Sequence, residues 1–520
     1  MNKTIRGYLS PYTTTSRGRI TVYDVPVSDM TRVIPLLYKE PSVELKTIFA
    51  ADVTKKKAGF RVLYVFGIPK EHSFVVLSVA IQTGTEFPSL TKYIHEASGY
   101  ERKIHSMMGL TPVGHPDLRP FILHENWPMS VFPLRKHVSG TKRPPMAKGD
   151  YQFHTVQGEG IYEIPVGPIH AGIIEPGHFR FSMAGEEILL LEPKLGFKHR
   201  GVEKLFETIP FSDTIRLSER VSGDTSLTHS LAYCQAIEEL AGITVSKKTA
   251  LLRVVYSELE RLANHINDIG FIMLDTGYSF GGSNGQRLRE TVMQWNERLT
   301  GSRYLRGVNA IGRATKDIPK ETRDSLAAYC ASFEQDFREI IAVANESSSL
   351  YNRLEGTGTL DKTTAEDHGV IGVAGRAIGL VHDARKDYPY ASYGTLPFSI
   401  SLQTTGDVRA RFGVRVKEVY TSLSLIRQAI AKLQNAPDSA VKKVISLKKN
   451  SIGIGVTEGW RGDIVYTVLT DDKGHISRVD VRDPSFLIWP ALGHAGRGNV
   501  VPDFPLINKS FNLSYSGHDL

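Results

Sequence analysis

Imidazole and carboxylate groups that suit a buried polar site stand in the stretch VGPIHAGIIEPGHFRF. Its His170, Glu175 and His178 lie among small residues, which suit the floor of a cavity. The stretch contains no cysteine, and neither do two later segments that we expect to converge on it. These segments are ERVSGDTSLTH, residues 219–229, and the tail FNLSYSGHDL, residues 511–520.

The composition indicates a globular protein with more than one domain. With 520 residues, 41% of them hydrophobic, the chain can bury a large core. No apolar run approaches the roughly 20 residues that span a bilayer. The N-terminus lacks an apolar signal core, so export is not expected. Two cysteines, Cys234 and Cys330, exclude a disulfide framework and an iron–sulfur cluster held by this chain alone, which normally takes four thiolates.

The net charge of +8 is mostly dispersed, apart from short runs at Lys55–Lys57 and Lys442–Lys449. Because there is no basic stripe with interleaved aromatic residues and no zinc-finger spacing, we expect no nucleic-acid partner. A surface that faces anionic lipid or an acidic partner subunit explains the excess equally well.

The overall fold class predicted from these patterns is α+β, beginning with a small α+β domain over residues 1–140. Arg61–Phe66 and Phe74–Ile81 are β-branched and aromatic runs separated by a turn, and they predict strands. A short helix is expected to end at Gly109. Residues 141–155 are rich in Gly, Pro and Lys and predict a linker.

Residues 156–520 predict a mainly helical-bundle domain with flanking antiparallel β-hairpins. Apolar residues recur every three or four positions from Leu251 to Ile266, which is the stripe of an amphipathic helix. Ser246 is the expected N-cap of this helix and Gly270 its expected end. The predicted hairpins pair Phe179–Met183 with Glu187–Leu191 and Asp463–Thr470 with His475–Arg482.

Two charged constellations favour structural roles. Glu258, Glu260 and His265 share one helix, and the two histidines four apart that a metalloprotease needs are absent. Buried salt bridges are therefore favoured, with a proton-handling or coupling role as the alternative. An arginine-rich group between residues 370 and 420 favours an ion-pair network or a subunit interface, and anionic substrate binding is its alternative. Its members are Arg376, His382, Asp383, Arg385, Asp407, Arg409, Arg411 and Arg415.

The segments ERKIHSMMGL, GHPDLRPF and PLRK, within residues 55–138, resemble the 30-kDa subunit of respiratory complex I and its counterpart in membrane-bound group 4 hydrogenases. In that family the domain is an assembly module without a cofactor. The resemblance therefore implies no redox centre in the N-terminal part.

Seven further motifs occur in order over about 350 residues. Together they resemble the large subunit of group 4 [NiFe] hydrogenases and the related 49-kDa subunit of complex I. The N-terminal resemblance fits the fusion of the 30-kDa and 49-kDa subunits known in that superfamily. The motifs are VGPIHAGIIEPGHFRF, KHRGVEKLFE, SGDTSLTHSLAYCQAIEEL, SELERLANHINDIG, EGWRGDIVY, VRDPSF and NLSYSGHDL.

The sequence departs from the hydrogenases at all four thiolate positions that hold nickel and iron. The first CxxC pair corresponds to Ser222 and Thr225, and the second to Ser514 and Gly517. Thiolates are soft donors that ionise readily beside a metal, whereas hydroxyl groups keep their protons and glycine offers no side chain. We therefore expect no metal and no cofactor bound by this chain.

Other family positions persist. By resemblance, Glu175 matches the glutamate that shuttles protons beside the hydrogenase metal, and Arg461 the arginine over the open metal position. Glu203 matches a magnesium-associated glutamate, although the rest of that ligand set is not evident. Ser222 and Asp224 are expected to line the same cavity.

In complex I a histidine and a tyrosine hold the quinone head group. His170 matches that histidine, and His178 or Pro176 falls where a second histidine would be. The tyrosine position is Gly223, so the usual hydrogen-bond donor is missing, and Tyr515 is a candidate replacement.

The resemblance implies a peripheral subunit of a membrane-bound, ion-translocating oxidoreductase, related to NADH dehydrogenase and hydrogenase, on the cytoplasmic face of the membrane. Its expected partners are a small subunit with one [4Fe-4S] cluster and antiporter-like membrane subunits. Two alternatives stay open, a quinone-reducing subunit of complex I type and a structural coupling subunit without redox chemistry.

Overall fold

The structure is a computed structural model that describes residues 3–53, 59–81, 84–170, 174–438 and 445–520. The run Lys55–Lys57, the start of the run Lys442–Lys449 and Ala171–Ile173 of the first motif lie outside the described residues.

A five-stranded sheet forms the centre of the N-terminal part. The elements are α1 (Lys3–Leu9), β1 (Thr14–Arg17), β2 (Ile20–Asp24), α2 (Val27–Tyr38), β3 (Glu44–Asp52), β4 (Phe60–Ile68), β5 (Ser73–Ile81), β6 (Glu86–Pro88), α3 (Ala97–Met108) and β7 (Thr111–Val113). The strand order is β1-β2-β5-β4-β3, with β2 and β5 parallel and the other neighbours antiparallel. Both predicted strands, in β4 and β5, and the helix end at Gly109 are confirmed.

The second part combines two further three-stranded sheets with a helix bundle. Its strands are β8 (Ile161–Val166), β9 (His178–Ala184), β10 (Glu187–Lys194), β11 (Asn309–Ala310), β12 (Arg313–Ala314), β13 (Ile452–Glu458), β14 (Asp463–Thr470) and β15 (Ile476–Arg482). Its shorter helices are α4 (Val202–Phe206), α5 (Thr214–Ser218), α10 (Ser348–Leu354), α11 (Lys362–Asp367), α12 (Gly372–Arg376), α13 (Ala384–Asp387), α16 (Phe504–Phe511) and α17 (Tyr515–Asp519). Its longer helices are α6 (Ser226–Ala241), α7 (Lys247–Asp275), α8 (Ser279–Thr300), α9 (Lys320–Asn345), α14 (Val408–Leu433) and α15 (Pro484–Gly496).

Helix α7 is the central helix of the bundle, where it packs against α14, α8, α6 and α16. Ser246 caps its N-terminus as predicted, because the Ser246 side chain accepts a hydrogen bond from the Thr249 amide. The predicted end at Gly270 is wrong, since the helix continues to Asp275. A Cβ at Gly270 would lie 3.2 Å from the Cα of Gly285 in α8, so this glycine serves close helix packing and not helix termination.

Both predicted hairpins are present as β9–β10 and β14–β15, and the α+β class is confirmed. The sequence interpretation missed β13, which pairs with β14 along its whole length. Glycines alternate in this strand at Gly453 and Gly455, and they weaken the usual strand pattern. The structure explains why these positions are glycine. A Cβ at Gly453 would overlap the carbonyl oxygen of Ala236 in α6, and a Cβ at Gly455 that of Ala232.

The N-terminal sheet is covered on both faces. Ile48 and Val62 belong to the core shared with the N-terminal helices. The alternate residues Phe49 and Leu63 pack with Val456 of the β13–β14–β15 sheet. Apolar contact therefore joins the N-terminal part firmly to the rest of the chain.

A buried ion cluster crosses the same junction. Lys103 Nζ of α3 lies 3.0 Å from Glu203 Oε1, and Arg478 Nη2 of β15 lies 3.1 Å from Glu203 Oε2. The Val481 amide donates to the same carboxylate. Burial alone would raise the pKa of Glu203, but the two cations and the hydrogen bonds lower it to about 2.

The part of the chain predicted as a linker, residues 141–155, contains neither helix nor strand. The division into residues 1–140 and 156–520 stays a prediction. Among the helices of the described ranges, none combines the length and apolar character that crossing a membrane requires.

We expect Glu203→Gln to lower the free energy of unfolding of the full chain by about 3 kcal/mol at pH 7, because two buried cations lose their counter-charge. The folded-state pKa lies below the ordinary value of 4.5. The stabilisation is therefore complete above about pH 4.5 and is lost as the pH falls towards 2. Urea unfolding at pH 7 and pH 3.5 measures the difference in the free energy of unfolding between the variant and the parent, which we expect to be smaller at pH 3.5. Exposed Glu186→Gln is the matched control, and a difference that stays constant with pH would contradict the assignment.

Candidate functional site

The four positions that correspond to metal-binding thiolates meet in one place. Ser222 and Thr225 precede α6, and Ser514 caps α17 through a bond from the Gly517 amide. Ser222 Oγ lies 2.8 Å from Ser514 Oγ, and the Gly517 amide is 2.8 Å from the same Ser514 oxygen. The convergence expected from the sequence is therefore present, but the groups bind one another.

Asp224 and Arg461 form the charged side of this hydroxyl cluster. Arg461 donates to both carboxylate oxygens of Asp224, at 2.9 and 2.7 Å. Ser222 and Thr225 donate to Asp224 Oδ1 at 2.9 and 2.8 Å. Burial would raise the pKa of Asp224, but the guanidinium and these hydrogen bonds hold it well below its usual range.

Arg461 is fixed on its other sides as well. Its guanidinium lies 3.8 Å from the centroid of the Trp460 ring, and its Nε donates to the Asn512 carbonyl oxygen. The side chain is buried, with only 6% of the residue exposed. An arginine held by a carboxylate, a ring and a carbonyl has little freedom to bind an added ligand.

A residue that the sequence analysis did not single out closes the position of the fourth thiolate. A Cβ at Gly517 would lie 2.6 Å from Cγ of Asp483, which is buried between α17 and α6. Asp483 Oδ2 lies 3.1 Å from His229 Nε2, and its Oδ1 accepts from the Ser485 amide at 2.8 Å. A signal was available, because Asp483 precedes a proline at the start of a helix, a common N-cap arrangement.

Glu175 lies at the rim of the cluster and not inside it. Its Oε2 accepts from the Ser516 amide at 3.0 Å, and its Oε1 lies 3.5 Å from Lys198 Nζ. The side chain is 38% exposed, so its carboxylate is in contact with solvent. The structure thus connects Glu175 to the first turn of the tail helix, two residues after Ser514.

His170 and Tyr515 are neighbours, with ring centroids 6.4 Å apart. His170 Nε2 is buried and has no hydrogen-bond partner within the described residues, and burial lowers the pKa of this histidine. Tyr515 packs on Trp489 at 4.8 Å, and burial raises its pKa to about 12. The pair supplies an imidazole nitrogen and a phenol beside the hydroxyl cluster.

His178 lies apart from this pair. Successive residues of β9 alternate between two faces, and Phe179 packs towards His170 and Trp489. His178 instead packs beside Phe153 at 5.1 Å and lies 3.2 Å from the Gly167 carbonyl oxygen. Its own Nε2 is also buried without a partner in the described part of the chain, and burial lowers its pKa.

Gly223, at the position of the complex I tyrosine, brings no donor to the site. The nearest group to a Cβ there would be the guanidinium of Arg306, at 3.7 Å. Glu203 is also separate, because it belongs to the ion cluster with Lys103 and Arg478. Two cations already occupy the space beside its carboxylate, which does not fit a magnesium ion.

The donor set does not fit a nickel–iron centre. The three hydroxyl groups are hard donors that are engaged with one another or with Asp224, and Gly517 has no side chain. Elsewhere in the described residues, Glu44, His382 and Asp387 are close enough to share a cation. Lys46 Nζ lies 2.6 Å from Glu44, so that place already has a positive charge.

The charged constellations also have structural partners. Glu258 pairs with Arg385 at 3.2 Å, and His265 Nε2 lies 2.9 Å from Glu418. Arg376 bridges Glu418 and Glu458, both at 2.8 Å. This buried network supports the ion-pair interpretation of both groups.

Comparison with known families and proteins shows which proteins the chain is similar to. The family described as respiratory-chain NADH dehydrogenase, 30 Kd subunit, matches residues 23–144, and the corresponding 49 Kd subunit family matches residues 275–455. The chain is 31% identical to formate hydrogenlyase subunit 5 of Escherichia coli (strain K12), over 100% of this chain and 92% of that protein.

Two other relatives cover most of the chain. Identity to hydrogenase-4 component G of the same organism is 32%, over 95% of this chain and 87% of the relative. The fused C/D subunit of the NADH-quinone oxidoreductase of Bacteroides thetaiotaomicron is 28% identical, over 89% of this chain and 91% of the relative.

We expect Gly517→Ala to destabilise the full chain by about 1–3 kcal/mol, because the new methyl group displaces buried Asp483. Gly223→Ala lies in the same site but meets nothing closer than 3.7 Å, so it is the matched control with a change of about 0.5 kcal/mol or less. Urea unfolding followed by circular dichroism measures both. Equal stability of the two variants would show that the fourth ligand position is open.

Proposed function

This chain belongs to the family of formate hydrogenlyase subunit 5, hydrogenase-4 component G and the fused C/D subunits of NADH-quinone oxidoreductases, and we propose that it reduces a quinone-like acceptor. It is a subunit of a membrane-bound oxidoreductase complex of this type.

The observation that carries the proposal is the contrast between two halves of the site. The former metal positions are closed by mutual hydrogen bonds and by Asp483 beside Gly517. The adjoining half keeps a buried imidazole nitrogen at His170, which has no partner among the described residues, next to the phenol of Tyr515. A carbonyl-bearing head group would satisfy both, whereas a metal has no thiolate to bind.

In this function Tyr515 and a His170 protonated at Nε2 each donate a hydrogen bond to a quinone carbonyl. Reduction to the quinol takes two electrons and two protons. We place the electron source in a neighbouring small subunit with one [4Fe-4S] cluster, and no nickel–iron centre in this chain. Glu175, exposed to solvent at the rim and bonded to the tail helix, restores the protons.

The complex would lie on the cytoplasmic face of the membrane and transmit the reaction to antiporter-like, ion-translocating membrane subunits. Movement of the tail helix on protonation of Glu175 is the step within this chain that can be coupled to them. This coupling rests on family analogy.

A structural coupling subunit without redox chemistry is the second candidate. The observation in its favour is that Arg461 and the hydroxyl groups have their hydrogen bonds satisfied internally. Groups that are fully paired in the resting protein stabilise a fold without needing a substrate.

The first experiment is to purify the intact membrane complex, measure nickel and iron per copy, and extract quinone from the same sample. We expect iron without nickel, together with bound quinone. Nickel near one per copy would refute the loss of the metal site. Iron with no quinone would favour the structural candidate.

The same complex tests the residues. We expect His170→Leu and Tyr515→Phe each to lower quinone-dependent electron transfer about tenfold or more, since each removes one hydrogen bond to the reacting head group. His475→Leu changes a side chain that is 75% exposed and serves as the control with unchanged activity. Unchanged activity in both site variants would assign the chain to the structural candidate.

A further inference from the structure

A cavity of about 380 Å³ lies between the N-terminal part and the tail, separate from the His170–Tyr515 pair. Its walls come from α3, the segment after β7, strand β10, helix α15 and the tail helix α17. A cavity of about 150 Å³ is enough to hold a benzene ring, so this one has room for an aromatic ring with substituents.

His518 is the polar group that makes this cavity unusual. The residue is 1% exposed and lines the cavity, and its Nε2 has no hydrogen-bond partner in the described part of the chain. Among the buried polar atoms without a partner in the described ranges, it is the one on this cavity wall. A buried imidazole nitrogen left open in this way costs free energy unless something binds to it.

The hydrogen bonds of Asp519 define which form of His518 faces the cavity. Asp519 accepts hydrogen bonds from the amides of Gly196 and Lys198, at 2.9 and 2.8 Å. His518 Nδ1 lies 2.7 Å from Asp519 Oδ1 and therefore donates to it. In the tautomer that carries its proton on Nδ1, the open position is the lone pair of Nε2, which accepts a hydrogen bond.

Two of the four cationic groups on the wall are paired with carboxylates. Arg119 binds Asp117 through two nitrogens, at 3.0 and 2.8 Å, and Glu192 at 2.7 Å. Lys194 pairs with Glu125 at 2.6 Å. These pairs reduce the attraction that Arg119 and Lys194 offer to an anionic ligand.

A third cation, Arg102, and two of the histidines also have partners within the protein, while the fourth cation, Arg497, is exposed to solvent. Arg102 donates to the carbonyl oxygens of Arg119 and Pro120, at 3.0 and 3.2 Å. His368 and His494 bind each other through Nε2 atoms 3.3 Å apart. A metal ion would have to break that pair and would gain one open nitrogen, so a neutral ligand fits better.

Aromatic side chains surround the open nitrogen. Phe486 stacks on the His518 ring with centroids 5.7 Å apart, and Phe121 meets it edge-on at 5.1 Å. The buried Trp489 lines the same wall. Apolar walls with one acceptor suit a flat apolar body that carries one donor.

We propose that this cavity binds a small neutral aromatic alcohol, whose ring lies against Phe121 and Phe486 and whose hydroxyl donates to His518 Nε2. Such a ligand contacts α3 and α17 together and so stabilises the junction between the N-terminal part and the tail. The site is independent of quinone reduction at His170.

Phenol is the probe, and toluene, of the same shape without the donor, is its matched comparison. We expect phenol to bind the full chain about tenfold more tightly than toluene, as measured by isothermal titration and saturation-transfer NMR. In His518→Leu this preference disappears, while His475→Leu, at an exposed histidine, keeps it. Equal binding of the two probes, or no binding of phenol because water alone occupies the cavity, would overturn the proposal.

A second variant tests the cavity if His518→Leu does not fold. Gly99→Ala in α3 places a methyl group 3.4 Å from the Phe121 ring and 3.5 Å from the Phe486 ring, which are ordinary contact distances. The variant should fold, since alanine favours helix. We expect phenol affinity to fall severalfold, and unchanged affinity would place the probe outside this cavity.

Discussion

Docking of the C-terminal segment, Ser514–Leu520, is the interaction on which the site depends. The segment is buried, and its attachments include three that use no side chain of Ser514 or Gly517. The Ser516 amide binds Glu175, the Asp519 carboxylate receives two amides that follow β10, and the Leu520 carbonyl oxygen accepts from the Arg200 amide at 3.0 Å. Because these bonds involve the main chain, they tolerate changes of side chain at Ser514 and Gly517. The tail can keep its place although the thiolates that it would carry in a hydrogenase are absent.

Exchange of thiolates for hydroxyl groups also alters what holds the two halves of the site together. Metal bonds between the segment before α6 and the tail would supply that link in a hydrogenase. In this chain the link is the Ser222–Ser514 contact at 2.8 Å, reinforced by Asp224 and its bond to Arg461. A hydrogen-bonded cluster of this kind is stable only when each buried polar group has a partner. The same requirement that stabilises the cluster therefore removes the free positions that a substrate would need there.

Much of this arrangement could be predicted from the sequence, and the failures have physical causes. Local signals were sufficient for β4, β5, the two hairpins and the cap at Ser246, because each depends on residues a few positions apart. The end of α7 and the strand β13 were not predictable in that way. Gly270 and Gly455 are glycines because a second element passes against them, at Gly285 and Ala232, and a single sequence does not show which element that is. The contact between Ser222 and Ser514 was expected from family resemblance. That Asp483 fills the space beside Gly517 is evident only from the structure.

Two of the three open imidazole nitrogens in the described residues, those at His170 and His518, show how an unsatisfied group differs from a paired one as evidence for function. The chain buries many charged residues, and the network around Arg376 and Glu418 satisfies them with partners of opposite sign. Burying such charges is costly, and their pairing stabilises the fold only in part. A buried nitrogen without a partner, in contrast, costs free energy and gains no hydrogen bond, unless a ligand binds to it. Arg461, although a family resemblance makes it a catalytic candidate, is fully paired, so the physical argument favours the histidines over the arginine as the groups that meet a ligand.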